Sequence, residues 1–173
     1  MDVFETIRGR RSIRSYKSDP VPQEVLNRVL DAARWAPSAG NRQSWEFIIV
    51  SDPPIKRYLR DAALGQSFIE EAPIVVVVCA NELRSARLYG NRGRIFYCLL
   101  DGGAAAQNML LAAYALGLGA CWIGAFDDEM VVKILNLPFG IRPVAIIPLG
   151  YPYEVPKPPP RMELNELVHL NRC

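Results

Sequence analysis

The sequence predicts one domain of a layered α/β/α or α+β class, in which helices cover a central β-sheet. The chain has 173 residues, which is enough for one hydrophobic core and too short for two comfortable domains. Strand-like runs at 45–50, 72–80 and 142–152 alternate with segments of helical periodicity. The run APIVVVVCA at 72–80 is apolar on both faces, which is typical of a strand covered on both sides. These features predict a layered α/β/α or α+β arrangement, and the spacing does not decide between the two.

Composition and charge argue against several classes of protein. Half of the residues are hydrophobic, and 20 Lys and Arg nearly balance 18 Asp and Glu, as in a soluble globular protein. The net charge of +2 gives too weak a field for tracking a phosphate backbone, so we expect no nucleic-acid partner. The longest apolar run, 73–80, is far below the ~20 residues that a membrane span requires, so we expect no membrane partner.

The cysteines and the N-terminus favour a cytoplasmic location. Cys79, Cys98, Cys121 and Cys173 form no CxxC pair, and the chain has one histidine, His169, so the sequence predicts no metal site. Buried free thiols in a reducing compartment are the simpler interpretation. The N-terminal stretch MDVFETIRGRR contains no apolar segment of the kind found in signal peptides.

The first half of the chain predicts two helices on either side of a strand. Apolar residues at helical spacing predict a helix over 23–36, with Pro22 in its first turn and Pro37 at its end. WEFIIV at 45–50 predicts a strand that ends at the turn SDPP. Pro54 then opens a predicted helix through IKRYLRDAAL.

The second half contains a segment without periodicity and a long helix. Residues 81–94 lose apolar periodicity and predict a mobile surface segment. A helix is predicted over 95–116, where small residues indicate close approach to a neighbour and a central or interfacial position. A short strand is predicted within 117–126, after a glycine stop, and a capped amphipathic helix over 127–137.

The final segment, 152–173, predicts an extended C-terminal arm. Five of its first nine residues are proline, which excludes a helix or a central strand there. Its end, ELNELVHL, is too short and polar to hold itself down without packing, which suggests that it lies on a partner subunit. No internal repeat or linker divides the chain, so residues 1–173 are expected to form one domain.

The stretch RRSIRSY near the N-terminus concentrates cations in a chain of low net charge. In an extended segment, Arg10, Ser12 and Arg14 share one side, whereas Arg11 and Ile13 face the other. Two guanidiniums and a hydroxyl on one face can bind a phosphate through charge-assisted hydrogen bonds. The alternative is that these arginines are solvated or form weak surface ion pairs.

Two further stretches are candidates for binding. In APSAGNRQSWEF, Asn41 and Gln43 each offer a donor and an acceptor, which suits a ring edge that carries C=O beside N–H, although the composition is also ordinary for a turn. In GLGACWIGAF, Gly124 would let a flat ligand approach backbone amides, with Trp122 and Ile123 against its apolar face. A tight strand end is the alternative there.

Common catalytic and nucleotide motifs are absent from the sequence. It contains no GxGxxG, GxxxxGK or GxSxG, which argues against a Rossmann fingerprint, a P-loop and a nucleophile elbow. His169 is expected at the surface or at an interface, so a hydrolase built on it is not favoured.

Four motifs, in order along essentially the whole chain, resemble the nitroreductase family of FMN-dependent oxidoreductases. They are RRSIR, APSAGNRQSWEF, AQNMLLAAYALGLGACWIG, and PLGYP followed by PPPRMELNELV. The resemblance implies a three-layer α/β/α sandwich with a mixed central sheet, in an intertwined homodimer with two FMN molecules at the subunit interface. It also implies hydride transfer from NAD(P)H through bound FMN to a small-molecule acceptor, such as a nitroaromatic, a quinone or a flavin, in a ping-pong cycle.

The resemblance assigns cofactor contacts but no catalytic acid or base. Arg10, Ser12 and Arg14 match positions that hold the FMN phosphate and ribityl chain, and Arg161 matches a late arginine that returns to the same phosphate. The full set of matched cofactor-binding residues is Arg10, Arg11, Ser12, Arg14, Pro37, Ser38, Ala39, Asn41, Gln66, Ile123, Gly124, Ala125 and Arg161.

The other matched residues fall in three places. Residues 37–41 match a loop that the opposite subunit contributes. Residues 123–125 match the segment whose backbone N–H groups approach the flavin N5 and O4. Gln66 is a looser candidate for the ring edge.

Two departures from the family pattern bear on the site. Ser44 stands where the family often has proline, which we expect to be a harmless, surface-compatible change. Segment 81–94 is short, which suggests an open substrate pocket. Its arginines would either meet the extra phosphate of NADPH or remain solvated; they are Arg84, Arg87, Arg92 and Arg94.

Two other functions stay open at this point. One is a flavin-binding protein without turnover, acting as a store or a regulator. The other keeps the fold but changes the chemistry, as in relatives that cleave the flavin or remove halide from an aromatic ring. The short segment 81–94 gives no support to either of these chemistries.

Overall fold

The computed structural model describes residues 2–172 as alternating helices and strands. The helices are α1 (Val3–Gly9), α2 (Gln23–Arg34), α3 (Pro53–Ala62), α4 (Phe68–Glu71), α5 (Glu82–Arg92), α6 (Cys98–Ala115) and α7 (Asp128–Ile134). The strands are β1 (Trp45–Val50), β2 (Ile74–Asn81), β3 (Gly119–Ala120) and β4 (Ile141–Gly150). Short 3-10 turns lie at Ala39–Asn41 and Leu164–Glu166, and a π-helical turn spans Gly93–Tyr97.

The strands form one sheet in the order β1-β2-β4-β3. Every ladder of this sheet, in the part of the chain that the structure describes, is antiparallel. The prediction of a mixed sheet is wrong for these ladders, and parallel pairing there is limited to the bridge between Ser12 and Ala120. The reason lies in the connections: α3 and α4 pack on each other and return the chain to the end at which β1 stopped, so β2 runs back beside it.

Strand β2 is buried on both faces, as its sequence predicts. Val76 and Val78 pack into one hydrophobic core with α2 and α6. Val75 and Val77 pack into a second core with α3 and α7. Alternate side chains of one strand therefore join helices on opposite faces of the sheet, which confirms the α+β class.

Local capping explains where two of the helices begin. Helix α1 was not predicted from the sequence. Asp2 and Glu5 form a reciprocal capping box at its start, and their D-x-x-E spacing is typical of a helix N-terminus. Helix α3 starts at Pro53, where the Asp52 side chain accepts the Ile55 N–H at 3.0 Å. Here the proline and the cap agree with the predicted start.

The segment 81–94 is mostly helical. The prediction of a mobile surface segment did not include this helix. The Asn81 side chain accepts the Arg84 N–H at 2.9 Å and caps α5. Gly90, with φ 54° and ψ −137°, breaks the helix before the π-helical turn leads into α6. The pattern hid this helix because its leucines, including Leu88, stay exposed and leave no apolar stripe.

The region after α6 contains less strand than predicted. Within 117–126, the strand is limited to β3 and is followed by an isolated bridge between Ile123 and Ile146. Helix α7 then begins after Asp127, whose side chain accepts the Met130 N–H at 2.9 Å.

The C-terminal arm is extended and exposed, as its prolines predict. Residues 153–172 are exposed throughout, and apart from the turn at Leu164–Glu166 the described part of the arm has no regular secondary structure. Its packing on a partner subunit stays a prediction.

None of the helices described within residues 2–172 combines the length and the apolar character needed to cross a bilayer. In the same residues, no cluster of three or more His, Cys, Asp or Glu side chains is placed to hold a metal ion.

Candidate functional site

The arginine segment that follows α1 is extended and fixed against β3. The Ile13 N–H donates to the Ala120 carbonyl at 3.0 Å, and the Ile13 side chain is buried. Arg14, its neighbour, is exposed. This alternation turns one side of the segment into the protein and leaves the polar side accessible, as the spacing predicted.

The structure gathers the predicted cations into one cavity of about 420 Å³. The residues that line it are Arg10, Arg11, Ser12, Arg14, Pro156, Lys157, Pro159 and Arg161. The arm therefore returns Arg161 to the N-terminal arginines, and it adds Lys157, which the sequence reasoning missed. None of these lining residues is acidic, so the cavity is strongly cationic and suits a dianionic phosphate.

Arg11 differs from the other arginines of the segment in what it contacts. Its guanidinium donates to the backbone carbonyls of Arg8 at 2.6 Å and Arg10 at 2.8 Å, which lie at the end of α1. A cation at this position satisfies terminal carbonyls and complements the helix dipole. Although Arg11 lies in the cavity wall, its donors are used in part to cap the helix.

Gly119 sets the distance between the arginine segment and β3. A Cβ atom at this position would lie 2.7 Å from Ile13 Cγ1 and 2.8 Å from Ile13 Cβ, which are packed atoms. The Gly119→Ala substitution is therefore expected to push Ile13 and Ser12 outward, to lower stability by roughly 1–3 kcal/mol, and to weaken phosphate binding. Urea denaturation and a titration with FMN measure the two effects.

The control for Gly119→Ala is a substitution at Gly117, where a built Cβ would meet no atom within 4 Å. Gly117 has φ 79°, a conformation that alanine rarely adopts and asparagine tolerates, so the control is Gly117→Asn. We expect this control to change stability by less than about 1 kcal/mol. Equal losses from both glycines would show that the contact with Ile13 is not the cause.

The loop from residue 37 to residue 44, which we call the 37–44 loop, does not line the cationic cavity of its own chain. Pro37 and Asn41 are exposed, and no residue of the loop lines that cavity. The backbone is left-handed at three positions, with φ 55° at Gly40, 53° at Asn41 and 50° at Gln43. The predicted binding residues Pro37, Ser38, Ala39 and Asn41 therefore do not join the arginines in the isolated chain.

Ser44 is completely buried, and the prediction of a surface-compatible change is wrong. Its hydroxyl donates to Asp101 Oδ2 at 2.5 Å. The other oxygen of this carboxylate, Oδ1, accepts the Ala39 N–H at 3.0 Å. Asp101, in the first turn of α6, is itself buried. Where a proline would offer no hydrogen bond, the serine supplies a donor to a buried charge.

The segment at 123–125 presents two exposed amides rather than three. The Ile123 N–H donates to the Ile146 carbonyl at 3.0 Å and Ile146 returns the bond, so the Ile123 amide is not free, contrary to the prediction. Gly124 and Ala125 are exposed, and their N–H groups have no hydrogen-bond partner among residues 2–172. The nearest atom to a Cβ built on Gly124 would be Trp122 Nε1 at 3.6 Å, so a side chain at this position would lie in ordinary van der Waals contact with the Trp122 indole.

Gln66 lies two residues before Phe68, which contacts Arg14. Its side-chain amide donates to the Ala63 carbonyl at 2.9 Å, and the residue is half-buried. Two residues later, the Phe68 ring lies 5.9 Å from the guanidinium carbon of Arg14. The contact with Arg14 is therefore made by Phe68, and the role of Gln66 at a ring edge stays a prediction.

The described cysteines offer no activated thiol. Cys79, Cys98 and Cys121 are buried and unpaired with one another. Burial raises the pKa of Cys79 to about 12, and it also raises the pKa of Cys121, which lies near Ser12. A thiolate is therefore disfavoured at neutral pH. Cys173 lies outside the described residues.

The arginines of α5 and the turn after it are mostly paired within the chain. Arg84 forms an ion pair with Glu46, and Arg94 pairs with Glu82 at 3.0 Å. The Arg92 guanidinium lies 4.9 Å and 5.2 Å from two aromatic ring centres. These contacts favour the alternative that the arginines stabilise the surface of this chain rather than bind the extra phosphate of NADPH.

Comparison with known proteins decides the family. The model of the nitroreductase family matches residues 7–68 and 62–151. The chain belongs to the nitroreductase family. One relative, an NADH dehydrogenase of Thermus thermophilus, is 38% identical over 97% of this chain and 95% of its own length. The FMN reductase (NADPH) of Bacillus subtilis is 30% identical over 98% of this chain and 74% of its own.

Solved structures of similar proteins have the same fold. Nitroreductase A from Vibrio parahaemolyticus matches with a TM-score of 0.91 and 30% identity, over 99% of this chain and 77% of that one. The NADPH:FMN oxidoreductase from Vibrio harveyi, solved in complex with NAD+, matches with a TM-score of 0.90 and 29% identity, over 98% and 76%. The predicted family is thereby confirmed.

Proposed function

We propose that this chain is an FMN-dependent NAD(P)H oxidoreductase that reduces nitroaromatic, quinone or flavin acceptors in a ping-pong cycle. The observation that carries the proposal is the cationic cavity, in which Arg161 meets Arg10, Ser12 and Arg14. Family membership supports it, as do the names of relatives, which include FMN reductase, NADPH-flavin oxidoreductase and NADPH nitroreductase.

The chain's own groups fit both ends of FMN. The phosphate is a dianion, which is costly to desolvate unless fixed cations surround it, and the cavity supplies arginines and Lys157. At the ring end, the exposed N–H groups of Gly124 and Ala125 are donors without partners among the described residues. The distribution of cations and free amides thus matches a ligand with an anionic tail and an acceptor-bearing ring.

We further propose that two copies build each site in an intertwined, three-layer homodimer. No residue of the 37–44 loop lines the cavity of its own chain, so the loop from a second copy would complete the site. One side of the arm from residue 152 onward lines the cavity of its own chain through Lys157 and Arg161. Its other side would pack on that copy, because the arm is extended and exposes apolar side chains such as Leu164, Leu167 and Leu170. Each chain would contribute one domain, residues 1–173.

The residues have binding and orienting roles in the proposed reaction. Bound FMN would supply the redox chemistry, accepting hydride from NAD(P)H on the ring face that the acceptor then uses. The arginines fix the tail of the cofactor and place positive charge close to it. The amides of Gly124 and Ala125 would hold the ring edge and favour electron uptake. No side chain is assigned as an acid or a base in this proposal, and burial raises the pKa of the Cys121 thiol, which disfavours its thiolate.

Anaerobic reduction tests the proposed function. Purified protein should be yellow, should contain one FMN per chain, and should bleach rapidly with NADH or NADPH under argon. Adding a quinone or a nitroaromatic should then restore the colour. A protein that takes up no FMN would contradict the proposal. A yellow protein that neither nicotinamide bleaches would instead support a flavin store or regulator. The preferred nicotinamide follows from the two bleaching rates.

The proposed location is the cytoplasm, where a reducing environment keeps thiols such as Cys79, Cys98 and Cys121 unpaired.

A further inference from the structure

One carboxylate holds both ends of the 37–44 loop. Asp101 Oδ1 accepts the Ala39 N–H at 3.0 Å near the start of the loop, and Oδ2 accepts the Ser44 hydroxyl at 2.5 Å at its end. Asp101 is 4% exposed and Ser44 is fully buried. A buried carboxylate is tolerated where hydrogen bonds compensate its lost hydration, so this contact is specific and well shielded from water.

The loop between these two contacts has an unfavourable backbone conformation that requires stabilising contacts. Two of its non-glycine residues, Asn41 and Gln43, have positive φ, which L-residues rarely adopt. Inside the loop, the Ser38 hydroxyl oxygen accepts the Gln43 N–H at 2.9 Å. On the outer side, Arg84 donates to the Gln43 carbonyl at 2.7 Å. Asp101 is the contact that anchors this unusual conformation to the central helix α6.

We infer that Asp101 is a positioning residue for the flavin site, and that it acts through the 37–44 loop. It touches neither the cationic cavity nor the amides of Gly124 and Ala125. By fixing Ala39 and Ser44, it sets where Pro37, Ser38 and Asn41 stand when they meet the cofactor bound by the partner subunit. The inference rests on the proposed function, in which this loop completes the site.

Three substitutions separate positioning from folding. Asp101→Ala removes both hydrogen bonds. Asp101→Asn keeps a carbonyl oxygen for the Ala39 N–H and offers an amide donor to the Ser44 oxygen, so it preserves the geometry without the charge. Ser44→Ala removes one bond and leaves the carboxylate bound to Ala39. The matched control is Ala113→Gly, a buried change in the same helix that lowers stability without touching the loop.

The expected result is a graded loss of flavin binding and a changed flavin spectrum. Asp101→Ala should weaken FMN binding roughly tenfold, Ser44→Ala by about threefold, and Asp101→Asn less than Asp101→Ala. The visible absorption of the bound flavin should shift in Asp101→Ala, and KM for the acceptor should rise more than kcat falls. Ala113→Gly should lower Tm and leave affinity and spectrum unchanged. A structural role alone would move Tm but not the spectrum.

The outcomes that overturn the inference are distinct from those that overturn the function. If wild-type protein binds FMN and folded Asp101→Ala binds it with equal affinity and the same spectrum, the inference is wrong while the proposed function stands. If Asp101→Ala does not fold, Ser44→Ala decides, and unchanged affinity and spectrum in that variant refute the inference. Wild-type protein without affinity for FMN would contradict the proposed function itself.

Discussion

Replacing Arg10 and Arg14 together by alanine is expected to release FMN from a protein that stays folded and dimeric. Both guanidiniums line the cationic cavity on the exposed side of a segment whose backbone is fixed by Ile13. Each charge-assisted hydrogen bond contributes about 1.5–3 kcal/mol, so losing two should weaken binding by roughly a hundredfold to ten-thousandfold. Flavin content after gel filtration and a fluorescence titration with FMN measure the effect, and light scattering reports the dimer.

The matched control removes the same charge elsewhere. Arg34 and Arg57 form ion pairs on the surface, with Asp31 and Glu70, and neither lines the cavity. Their double alanine variant should retain flavin and lose at most about 1 kcal/mol of stability for each pair. Full flavin retention in the Arg10/Arg14 variant would show that the phosphate binds elsewhere. Equal losses in both variants would indicate a general effect of net charge.

The sheet and its long helices could be predicted because their signals are local. WEFIIV is short, contains β-branched residues and is bounded by SDPP, and β1 indeed covers Trp45–Val50. APIVVVVCA is apolar at every position, which predicts a strand buried on both faces, and helices cover both faces of β2. Helix α5 could not be found in the same way, since it is held by a side-chain cap at Asn81 and by packing on the following turn rather than by an apolar stripe.

The sequence predicted the parts of the site whose residues lie close together along the chain, and it did not predict contacts between distant residues. The alternation of Arg10, Ser12 and Arg14 follows from the period of an extended chain. Arg161 lies far away in sequence, and no spacing rule connects it to them, so its assignment came from the family resemblance alone. The structure brings it into their cavity. Lys157 was missed because a lysine among prolines has no local pattern.

The contact between Ser44 and Asp101 is the clearest feature that sequence reasoning missed. The two residues are separated by 57 positions, and hydrogen bonding at that distance depends on the tertiary fold. A signal did exist: Asp101 stands alone as a charge in the long apolar and small-residue stretch of α6. A carboxylate on a buried helix needs hydrogen-bond donors from neighbouring segments, and here the 37–44 loop supplies them through Ala39 and Ser44.

The Leu100→Asp substitution is expected to convert the proposed dimer into monomers and to empty both of its proposed flavin sites. Helix α6 is apolar nearly all round, yet in one chain Leu100 is 55% exposed, close to the exposed Ile95 and Phe96. A helix that is apolar on every side is normally buried on every side, so a second copy should cover this face. In a two-fold dimer the substitution acts twice, since each copy carries it.

The expected magnitude follows from burial. Losing a buried leucine at two equivalent positions costs about 3–6 kcal/mol, which alone should raise the dimer dissociation constant by roughly a hundredfold to ten-thousandfold. Burying the new carboxylates should raise it further. Light scattering across a dilution series measures that constant. Flavin should leave together with the partner, because the 37–44 loop that completes each site would leave with it.

Tyr58→Asp provides the control for Leu100→Asp, because Tyr58 is 58% exposed on α3 and so nearly matches Leu100 in exposure and in helical setting. If α6 faces a second copy and α3 faces water, the first acid separates the subunits and the second has almost no effect. Dimers that persist with Leu100→Asp would place the interface elsewhere. Monomers that still hold FMN would show that one chain builds the whole site, and the proposed contribution of the partner's loop would then be wrong.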